Sequence, residues 1–425
     1  MKTLVLLIIA LLGAPLFAII GASALLGFYS EGIDLSVMAI EINRLADTPI
    51  LIAIPLFTFA GYILGESRAP HRLVNLSNVM LNWLPGGLAI VALITCALFT
   101  AFTGASGVTI VALGALLYPA LKEAGYADRF NLGLITSSGS LGLLFAPALP
   151  LILYGVVAQQ LGLEKPVSID DLFLAGILPG TLMLSLLAAY SMLQKRHVHA
   201  GHTMASRQQI IKALRDAAWE IPLPFVVLGG IYSGFITVSE AAAITALYVL
   251  IVEVLIHREI AIRRVPAIIR EAMLMVGGIL IILALSLALT NYLIDTEVPM
   301  HLFETISEHI DSKWTFLMIL NLFLLVLGMM LDIFSALVII VPIILPIAIS
   351  YGIHPVHLGI IFLANMQIGY FTPPVGMNLF IASYRFERPV MDLYRATIPF
   401  FFILLIAVLI ITYWPDLSLV LLNLK

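Results

Sequence analysis

The sequence predicts an all-α polytopic membrane protein with inverted repeats, two re-entrant helical hairpins and two discontinuous spans. Composition is the first observation. Of the 425 residues, 61% are hydrophobic and 11% are charged, whereas soluble domains carry roughly 25% charged residues. Apolar runs that approach the ~20 residues of a membrane-spanning helix recur along the chain. They lie at 4–27, 49–65, 170–194, 222–237, 241–256, 272–293 and 395–414.

The positions of lysine and arginine are the second observation. We place the N-terminus in the cytoplasm and treat 87–122 and 314–350 as hairpins that enter and leave the membrane on one side. The cytoplasmic loops then hold 17 of the 21 lysines and arginines, as the positive-inside rule requires. If either hairpin were one complete span, every later loop would change sides. The pattern therefore predicts a multi-pass protein of a bacterial inner membrane with a periplasmic C-terminus.

An internal repeat is the third observation. A single constant shift along the chain, the repeat offset, superposes helix-breaking residues of the two halves. The matched pairs are Pro119 with Pro346, Gly125 with Gly352, Gly142 with Gly369, and Pro147 with Pro374. In the topology above the matched elements run in opposite directions, which is the inverted repeat that secondary transporters use for alternating access. Residues 196–230 join the halves.

Polar stretches lie between the apolar runs. Four of them place apolar residues at helical spacing beside charged residues, which predicts helices lying along the membrane interface. They are 35–46, 70–83, 259–270 and 298–310. The segment 196–216 contains HVHAGH, whose spacing could suggest a metal site, but we interpret it as a solvated cytoplasmic loop.

Each half contains a hairpin followed by a span that cannot be continuous helix. Glycine and proline interrupt the spans at 137–150 and 365–376. Irregular backbone at membrane depth is tolerated only where protein or a water-filled cavity satisfies it. Freed carbonyls and helix C-termini can coordinate a small cation, while helix N-termini face an anionic solute. Neutral side-chain oxygens near both breaks favour sodium, namely those of Thr103, Ser106, Thr109, Ser137, Ser138, Ser140, Ser335, Asn365, Gln367 and Thr372.

Asp332 is the one acidic residue predicted near a hairpin tip. A carboxylate inside a membrane needs a partner, because its burial is costly. Two interpretations remain open at this point. Asp332 faces the cation site, or it caps the second hairpin helix by accepting backbone N–H groups.

Several long segments carry a resemblance to a known family. They are IPLFTFAGYIL at 54–64, LPGGLAIV at 84–91, PLILYGVVA at 150–158, LAGILPG at 174–180, VSEAAAITALY at 238–248 and HLGIIFLANMQIGYFTPPVGMNLFIAS at 357–383. Over essentially its whole length the chain resembles the large membrane (M) subunit of tripartite ATP-independent periplasmic (TRAP) transporters, the DctM-like family. One departure lies at the first hairpin tip. Many relatives read SGSAVAD there, whereas this chain has TGASGVT and no acid.

The resemblance implies an elevator-type symport mechanism driven by a sodium gradient, with Na⁺ as coupling ion and no other cofactor. It implies two partners, a small four-helix membrane subunit and a soluble periplasmic substrate-binding protein. The solute would be a small anion such as a C4-dicarboxylate or sialic acid. Carried over by position, one sodium site consists of Thr103, Gly142, Phe145 and Pro147, and the other of Met330, Gly369, Thr372 and Pro374. Solute is expected near Ser106, Ser138, Asp332 and Asn365.

The same reasoning divides the chain into scaffold and transport parts. The scaffold and its interfacial arms would occupy 1–86 and 222–313. A hairpin and a broken span would form the transport domain at 87–169 and again at 314–390. The remaining parts are a span with a cytoplasmic connector at 170–221 and the C-terminal span at 391–425.

Three other functions are conceivable for such a sequence. A self-sufficient sodium/dicarboxylate or citrate carrier could share the architecture without a binding protein. A membrane enzyme is disfavoured because the sequence has no paired intramembrane aspartates, no HExxH and no nucleophile elbow. A channel fits the two broken repeats less well than alternating access does. Lipid surrounds such a protein, and nothing in the sequence indicates a nucleic-acid partner.

Overall fold

The computed structural model describes residues 6, 9, 12–46, 48–81, 86–163, 166–194, 206–310 and 312–423. Within these residues every regular element is a helix. Seven of the described helices are long and apolar enough to cross a membrane, and a bent pair of helices would make an eighth crossing. The predicted all-α membrane architecture is confirmed at this level. The HVHAGH segment lies outside the described residues.

The described part of the first half folds into a series of α-helices. They are α1 Leu16–Ser30, α2 Ser36–Ala46, α3 Ala53–Glu66, α4 Ala69–Leu81, α5 Gly87–Thr103, α6 Ser106–Glu123, α7 Asp128–Ser138, α8 Leu149–Gln160 and α9 Ile169–Gln194. A 3₁₀ turn at Pro49–Ile52 leads into α3, and another at Leu141–Leu144 lies between α7 and α8. Helices α5 and α6 form the first helical hairpin.

The second half contains the other helices of the described residues. They are α10 Arg207–Asp216, α11 Pro222–Tyr232, α12 Val238–Leu250, α13 Val265–Asp295, α14 Val298–Ser307, α15 Lys313–Met330, α16 Ile333–Ser350, α17 Pro355–Gly369, α18 Met377–Phe386, α19 Val390–Tyr413 and α20 Asp416–Asn423. A π-helix at Ile251–Ile256 extends α12. Helices α15 and α16 form the second helical hairpin.

Helix boundaries repeat between the two halves. The first hairpin helices end at Thr103 and Met330, and the second hairpin helices start at Ser106 and Ile333. Both pairs are separated by the repeat offset found in the sequence. The packing follows the same pairing, because α3 packs on α12 as α13 packs on α1, and α6 packs on α18 as α16 packs on α8. Each hairpin therefore contacts the broken span of the other repeat.

Most of the other predicted elements agree with the structure, and one does not. The two breaks lie where glycine and proline place them, since α7 ends at Ser138 and α17 ends at Gly369. The amphipathic helices at 35–46, 70–83 and 298–310 are present as α2, α4 and α14. The fourth prediction, a separate amphipathic helix at 259–270, is wrong.

The residues at 259–270 do not form a helix of their own, because no helix-breaking residue separates the end of this segment from the next apolar run. The structure has a 3₁₀ turn at Ile262–Arg264, and α13 then continues without interruption. The span expected at 222–237 is also shorter than predicted. Helix α11 has 11 residues, and with a rise of about 1.5 Å per residue this helix by itself covers only about half of a hydrocarbon core.

Candidate functional site

Two breaks and two hairpin tips meet at the centre of the fold. Tip 1 is the turn at residues 103–106, between α5 and α6, and tip 2 is the turn at residues 330–333, between α15 and α16. Break 1 comprises residues 139–148, between α7 and α8, and break 2 comprises residues 370–376, between α17 and α18. The axis turns by 42° across break 1. In each break a backbone N–H closes a turn on a glycine carbonyl at 3.0 Å, from Phe145 to Gly142 and from Thr372 to Gly369. A cis X-Pro peptide follows in both, at Pro147 and Pro374.

Glycine lets each hairpin helix lie directly on a break. A Cβ atom built on Gly142 would be 2.2 Å from the Ala97 carbonyl oxygen of α5. A Cβ built on Gly369 would be 2.5 Å from the Gly328 Cα of α15. Real Cβ atoms do not approach backbone so closely, so these sites require glycine. The breaks and the first hairpin helices are therefore in backbone contact in both repeats.

The first hairpin tip leaves backbone donors unused. Gly104 turns the chain with φ +64°, and Ala105 precedes α6 without a side-chain cap. Within the described residues, no acceptor faces the N–H groups of Ser106, Gly107 and Val108, the first turn of α6. The partial positive charge at the N-terminus of this 18-residue helix is therefore available to a negative group.

The second hairpin tip is already satisfied. Asp332 Oδ1 accepts the N–H groups of Phe334 and Ser335, each at 3.0 Å, and Oδ2 accepts the Ser335 hydroxyl. The Ile333 N–H donates to the Tyr370 hydroxyl at 2.7 Å. The capping interpretation of Asp332 is thus confirmed, while its role at a cation site stays a prediction. The N-terminus of α16 has little capacity left for an anion.

Break 1 also contacts the end of α17, the helix that precedes break 2. The Ser140 hydroxyl donates to the Gln367 carbonyl oxygen at 3.1 Å, and these positions are 227 residues apart, which is the repeat offset. Gln367 is fully buried, and neither its side-chain oxygen nor its nitrogen has a partner among the described residues. A buried amide without partners is rare in proteins, and a bound water or ion commonly supplies the missing hydrogen bonds. The hydrogen bond between Ser140 and Gln367 thus joins equivalent positions of the two repeats.

The first predicted sodium set is divided between tip 1, which holds Thr103, and break 1, which holds Gly142, Phe145 and Pro147. Thr103 is fully buried, and its Oγ1 accepts the Ala105 N–H at 3.5 Å, which is a weak bond. Helix α5 lies on Gly142. The neighbouring hydroxyl of Thr100 donates to the Gly139 carbonyl at 2.9 Å and thereby ties α5 to break 1. The Gly142 and Phe145 carbonyls each accept one backbone N–H, from Phe145 and Ala148, and keep a second lone pair for a cation. The assignment of sodium to this set stays a prediction.

The second predicted sodium set lies around tip 2 and break 2. The Met330 side chain is 67% exposed, and its soft thioether does not suit sodium, so the carbonyl is the ligand that Met330 can offer. The Thr372 hydroxyl donates to the Ile368 carbonyl at 2.8 Å. The Pro374 carbonyl accepts the Tyr394 hydroxyl and keeps one further lone pair. The set can offer oxygen ligands but no carboxylate.

The four predicted solute residues lie on different elements. No hydrogen bond joins any two of them within the described residues. Ser106 bonds to Asn378, Ser138 donates to the Ile135 carbonyl at 3.3 Å, and Asp332 caps α16. Asn365 is fully buried and donates to the Asn321 side chain at 2.6 Å, on the face of α17 that packs on α15. Their role in solute binding stays a prediction.

Asn378 is a polar residue of this centre that sequence reasoning missed. It lies in the segment MNLFIAS, directly after break 2, and is fully buried. Its side chain bonds to Ser106, which is 272 residues away in the chain. The only local signal was a polar residue beside a helix breaker in an apolar segment.

The fold defines a multi-pass helical membrane protein with a polar centre built from two broken spans. Residues 1–417 match the family model described as the tripartite ATP-independent periplasmic transporter, DctM component. The chain belongs to this family, which confirms the resemblance seen in its sequence. Its relatives are transporter permeases, and the chain is the corresponding membrane component of a binding-protein-dependent secondary transport system.

Individual relatives support the same family. The isethionate TRAP transporter permease protein DctMQ of Oleidesulfovibrio alaskensis is 34% identical over 95% of this chain, which spans 63% of the length of that relative. The C4-dicarboxylate TRAP transporter large permease protein DctM of Pseudomonas aeruginosa is 32% identical over 91% of this chain and 89% of its own. The solved YdaH transporter of Alcanivorax borkumensis is similar in fold alone, with a TM-score of 0.65, 14% identity, and coverage of 90% of this chain and 87% of its own.

The Asp332 cap leads to a testable prediction. Asp332→Ala should lower the free energy of unfolding by about 0.5–2 kcal/mol because it removes an N-cap, whereas Asp332→Asn keeps an acceptor oxygen and should lose less. Denaturation of the purified protein measures both. Ser312→Ala is a matched control, since Ser312 caps α15 at the other end of the same hairpin. Unchanged solute uptake in Asp332→Asn would restrict Asp332 to capping.

Proposed function

We propose that the chain is the large transmembrane subunit of a sodium-coupled transporter that imports a small carboxylate, or a similar small organic anion, by an elevator mechanism. The family match carries the transport assignment. The arrangement of the two breaks and two hairpin tips supports coupling to a cation and recognition of an anion. Each of these steps has its own structural support.

Cation coupling is supported by the oxygen atoms at the centre. Helices α5 and α15 both end at a hairpin tip, at Thr103 and Met330, and helix C-termini carry partial negative charge. The neighbouring ligands are carbonyl and hydroxyl oxygens, which suit a hard cation such as sodium better than a transition metal. Within the described residues no cluster of three or more His, Cys, Asp or Glu side chains could hold a metal ion.

Anion recognition is supported by the difference between the hairpin tips. The unused N–H groups at the start of α6 suit a carboxylate. Asp332 occupies the corresponding position of α16 and would repel one. The solute is therefore proposed to bind with its negative end at tip 1. Two relatives are named for isethionate and C4-dicarboxylate, both of which are small organic anions.

Elevator movement is supported by the way in which the helices group. Helices α1, α3, α12 and α13 pack on one another and would form the scaffold. The hairpins pack on the broken spans and would form the moving part. The short helices α4 and α14 connect the two groups, and each also packs on a hairpin helix. In this arrangement the hairpins need not cross the membrane, although α15 and α16 are long enough to do so.

The partners are proposed from the family. A tripartite system has two further components, which we propose are a small four-helix membrane subunit and a soluble periplasmic binding protein. The relative named DctMQ is longer than this chain, as a fusion of a large and a small subunit would be. The arginine and lysine distribution supports an inner-membrane protein with a cytoplasmic N-terminus and a periplasmic C-terminus.

Uptake of labelled carboxylates into proteoliposomes tests this function. The vesicles should hold the chain with its small subunit, and the binding protein is added outside. Replacing external sodium by potassium is expected to lower the initial rate at least about tenfold, because a coupled carrier loses its driving ion. Omission of the binding protein should have a similar effect. Sodium-dependent uptake without binding protein would instead support the self-sufficient carrier.

A further inference from the structure

Asn378 connects three elements of the centre. It is fully buried in the first turn of α18. Its Oδ1 lies 2.7 Å from the Ser106 hydroxyl at tip 1, its Nδ2 lies 3.3 Å from the Thr136 carbonyl of α7, and its backbone N–H donates to the Tyr370 carbonyl at 2.8 Å. One residue therefore links the first hairpin tip, the helix before break 1 and the residues of break 2.

The partners of Asn378 fix the direction of the hydrogen bonds. The Thr136 carbonyl can only accept, so the amide atom that faces it must be the Nδ2 donor. The Oδ1 atom then faces Ser106, and the Ser106 hydroxyl must donate to it. With its hydrogen engaged in this way, the Ser106 oxygen retains only acceptor capacity. It can face a cation or a donor, but it cannot donate a hydrogen bond to a carboxylate.

The other repeat has no equivalent of this link. The repeat offset relates Ser106 to Ile333 and Asn378 to Leu151, and both of these equivalents are apolar. Tip 2 is held instead by Asp332 and by the Tyr370 hydroxyl, and the latter belongs to break 2 itself. Among the described residues, tip 1 therefore has a side-chain hydrogen bond to the opposite repeat, whereas tip 2 has none.

We infer that Asn378 is a positioning residue that holds the first turn of α6 and keeps the Ser106 oxygen as an acceptor for the coupling cation. The inference rests on the proposed sodium coupling. Because the Asn378 backbone is also bonded to break 2, a change at break 2 is transmitted to tip 1. Asn378 thus couples the two halves of the centre, and it acts through Ser106 without contacting the solute.

The experiment uses Asn378→Leu, which installs the residue type of the equivalent position Leu151. In the uptake assay above, this variant is expected to raise the half-saturating sodium concentration about tenfold, the effect of losing one well-placed hydrogen bond. Ser106→Ala should cause a similar shift. The double variant should add little to either single variant, because both break the same link. Additive effects would overturn the inference.

Asn131→Leu is the matched control. Asn131 is another fully buried asparagine on α7, and it bonds to the Tyr126 carbonyl at 3.2 Å, within the same repeat. This variant should lose stability but keep the sodium dependence of the wild type. If Asn378→Leu behaves in the same way, with lower stability and unchanged half-saturation, Asn378 is a structural residue and the inference is wrong.

A second readout does not depend on transport. Cysteine placed at Ala105, in a background where the buried Cys96 is replaced by serine, reports access to tip 1 by its rate of thiol labelling. Asn378→Leu is expected to raise this rate at least about fivefold, because a released segment opens more often. An unchanged rate contradicts the inference. If labelling becomes faster but uptake does not depend on sodium, the proposed sodium coupling is wrong. The positioning of tip 1 by Asn378 would still be supported.

Discussion

Replacement of Arg72 by alanine is expected to lower the free energy of unfolding by about 3–5 kcal/mol, the usual loss when one partner of a buried ion pair is removed. The Arg72 guanidinium bonds to three carboxylates, those of Glu220 at 2.6 Å, Glu253 at 2.9 Å and Glu259 at 2.5 Å. The Glu253 side chain is 1% exposed. Loss of the arginine would leave these carboxylates buried without a counter-ion.

The electrostatics of the cluster explain why the effect should be large. Burial by itself lowers the pKa of the Arg72 guanidinium, but the charges of Glu253 and Glu220 outweigh burial, and the pKa lies above its ordinary value. The cluster ties α4, which carries Arg72, to the π-helical end of α12 and to the segment before α11. It thus anchors the arm that leads to the first hairpin.

Denaturation of the purified protein measures the effect, and two variants define its cause. Arg264→Ala removes a half-exposed arginine whose nearest carboxylate oxygen, on Glu66, is 3.4 Å away, and it should lower stability by only about 0–1 kcal/mol. Arg72→Met combined with glutamine at all three glutamates should recover much of the loss, because no charge is left unpaired. If Arg72→Ala proves as mild as Arg264→Ala, the cluster is not a buried ion pair in solution.

The sequence gives no sign that Arg72 and Glu253 pair. Glu253 lies close to Arg258 in the chain, but it is fully buried against an arginine 181 positions away. Apolar runs and helix breakers are local signals, so spans, hairpins and both breaks could be predicted. The side-chain pairs that hold those elements together join distant segments, and nothing in either segment alone identifies its partner.

The same distinction applies to the candidate site. Gly142 and Gly369 could be predicted because an internal repeat aligns them, and the structure shows a backbone contact at each. Asn378 could not be predicted, because its equivalent in the first half is a leucine and repeat symmetry gives it no partner. Met330 was assigned by offset alone, and its side chain lies largely exposed. Repeat symmetry therefore predicts the backbone contacts that both repeats share, and it misses the side-chain contacts that occur in one repeat alone.

Substitution of Gly61 by alanine is expected to disfavour the conformation in which the first hairpin tip contacts the scaffold. A Cβ atom on Gly61 of α3 would lie 2.6 Å from the Thr103 Cα and 2.9 Å from the Phe102 carbonyl oxygen. Neither backbone atom can rotate away, so α3 or tip 1 must move. Overpacking of this kind costs about 1–3 kcal/mol, which shifts the ratio of two conformations by about 5- to 150-fold.

Gly65→Ala is the matched control, one turn along the same helix. A Cβ there would be 3.5 Å from the Val108 side chain and 3.6 Å from the Phe99 ring, which are ordinary contacts. Alanine stabilises a helix interior by up to about 1 kcal/mol relative to glycine, so this variant should be neutral or stabilising. Uptake should fall with Gly61→Ala and persist with Gly65→Ala.

A cross-link between cysteines at Gly65 and Val108 reports the contact itself, because these positions face each other across α3 and α6. Gly61→Ala is expected to reduce the cross-linked fraction, and an unchanged fraction with normal uptake would contradict the prediction. The equivalent position in the second repeat supports the interpretation. The repeat offset relates Gly61 to Ala288, which packs on Ala24 and Phe28 of α1. The repeat tolerates a side chain at this position, so glycine at Gly61 reflects the approach of the hairpin tip.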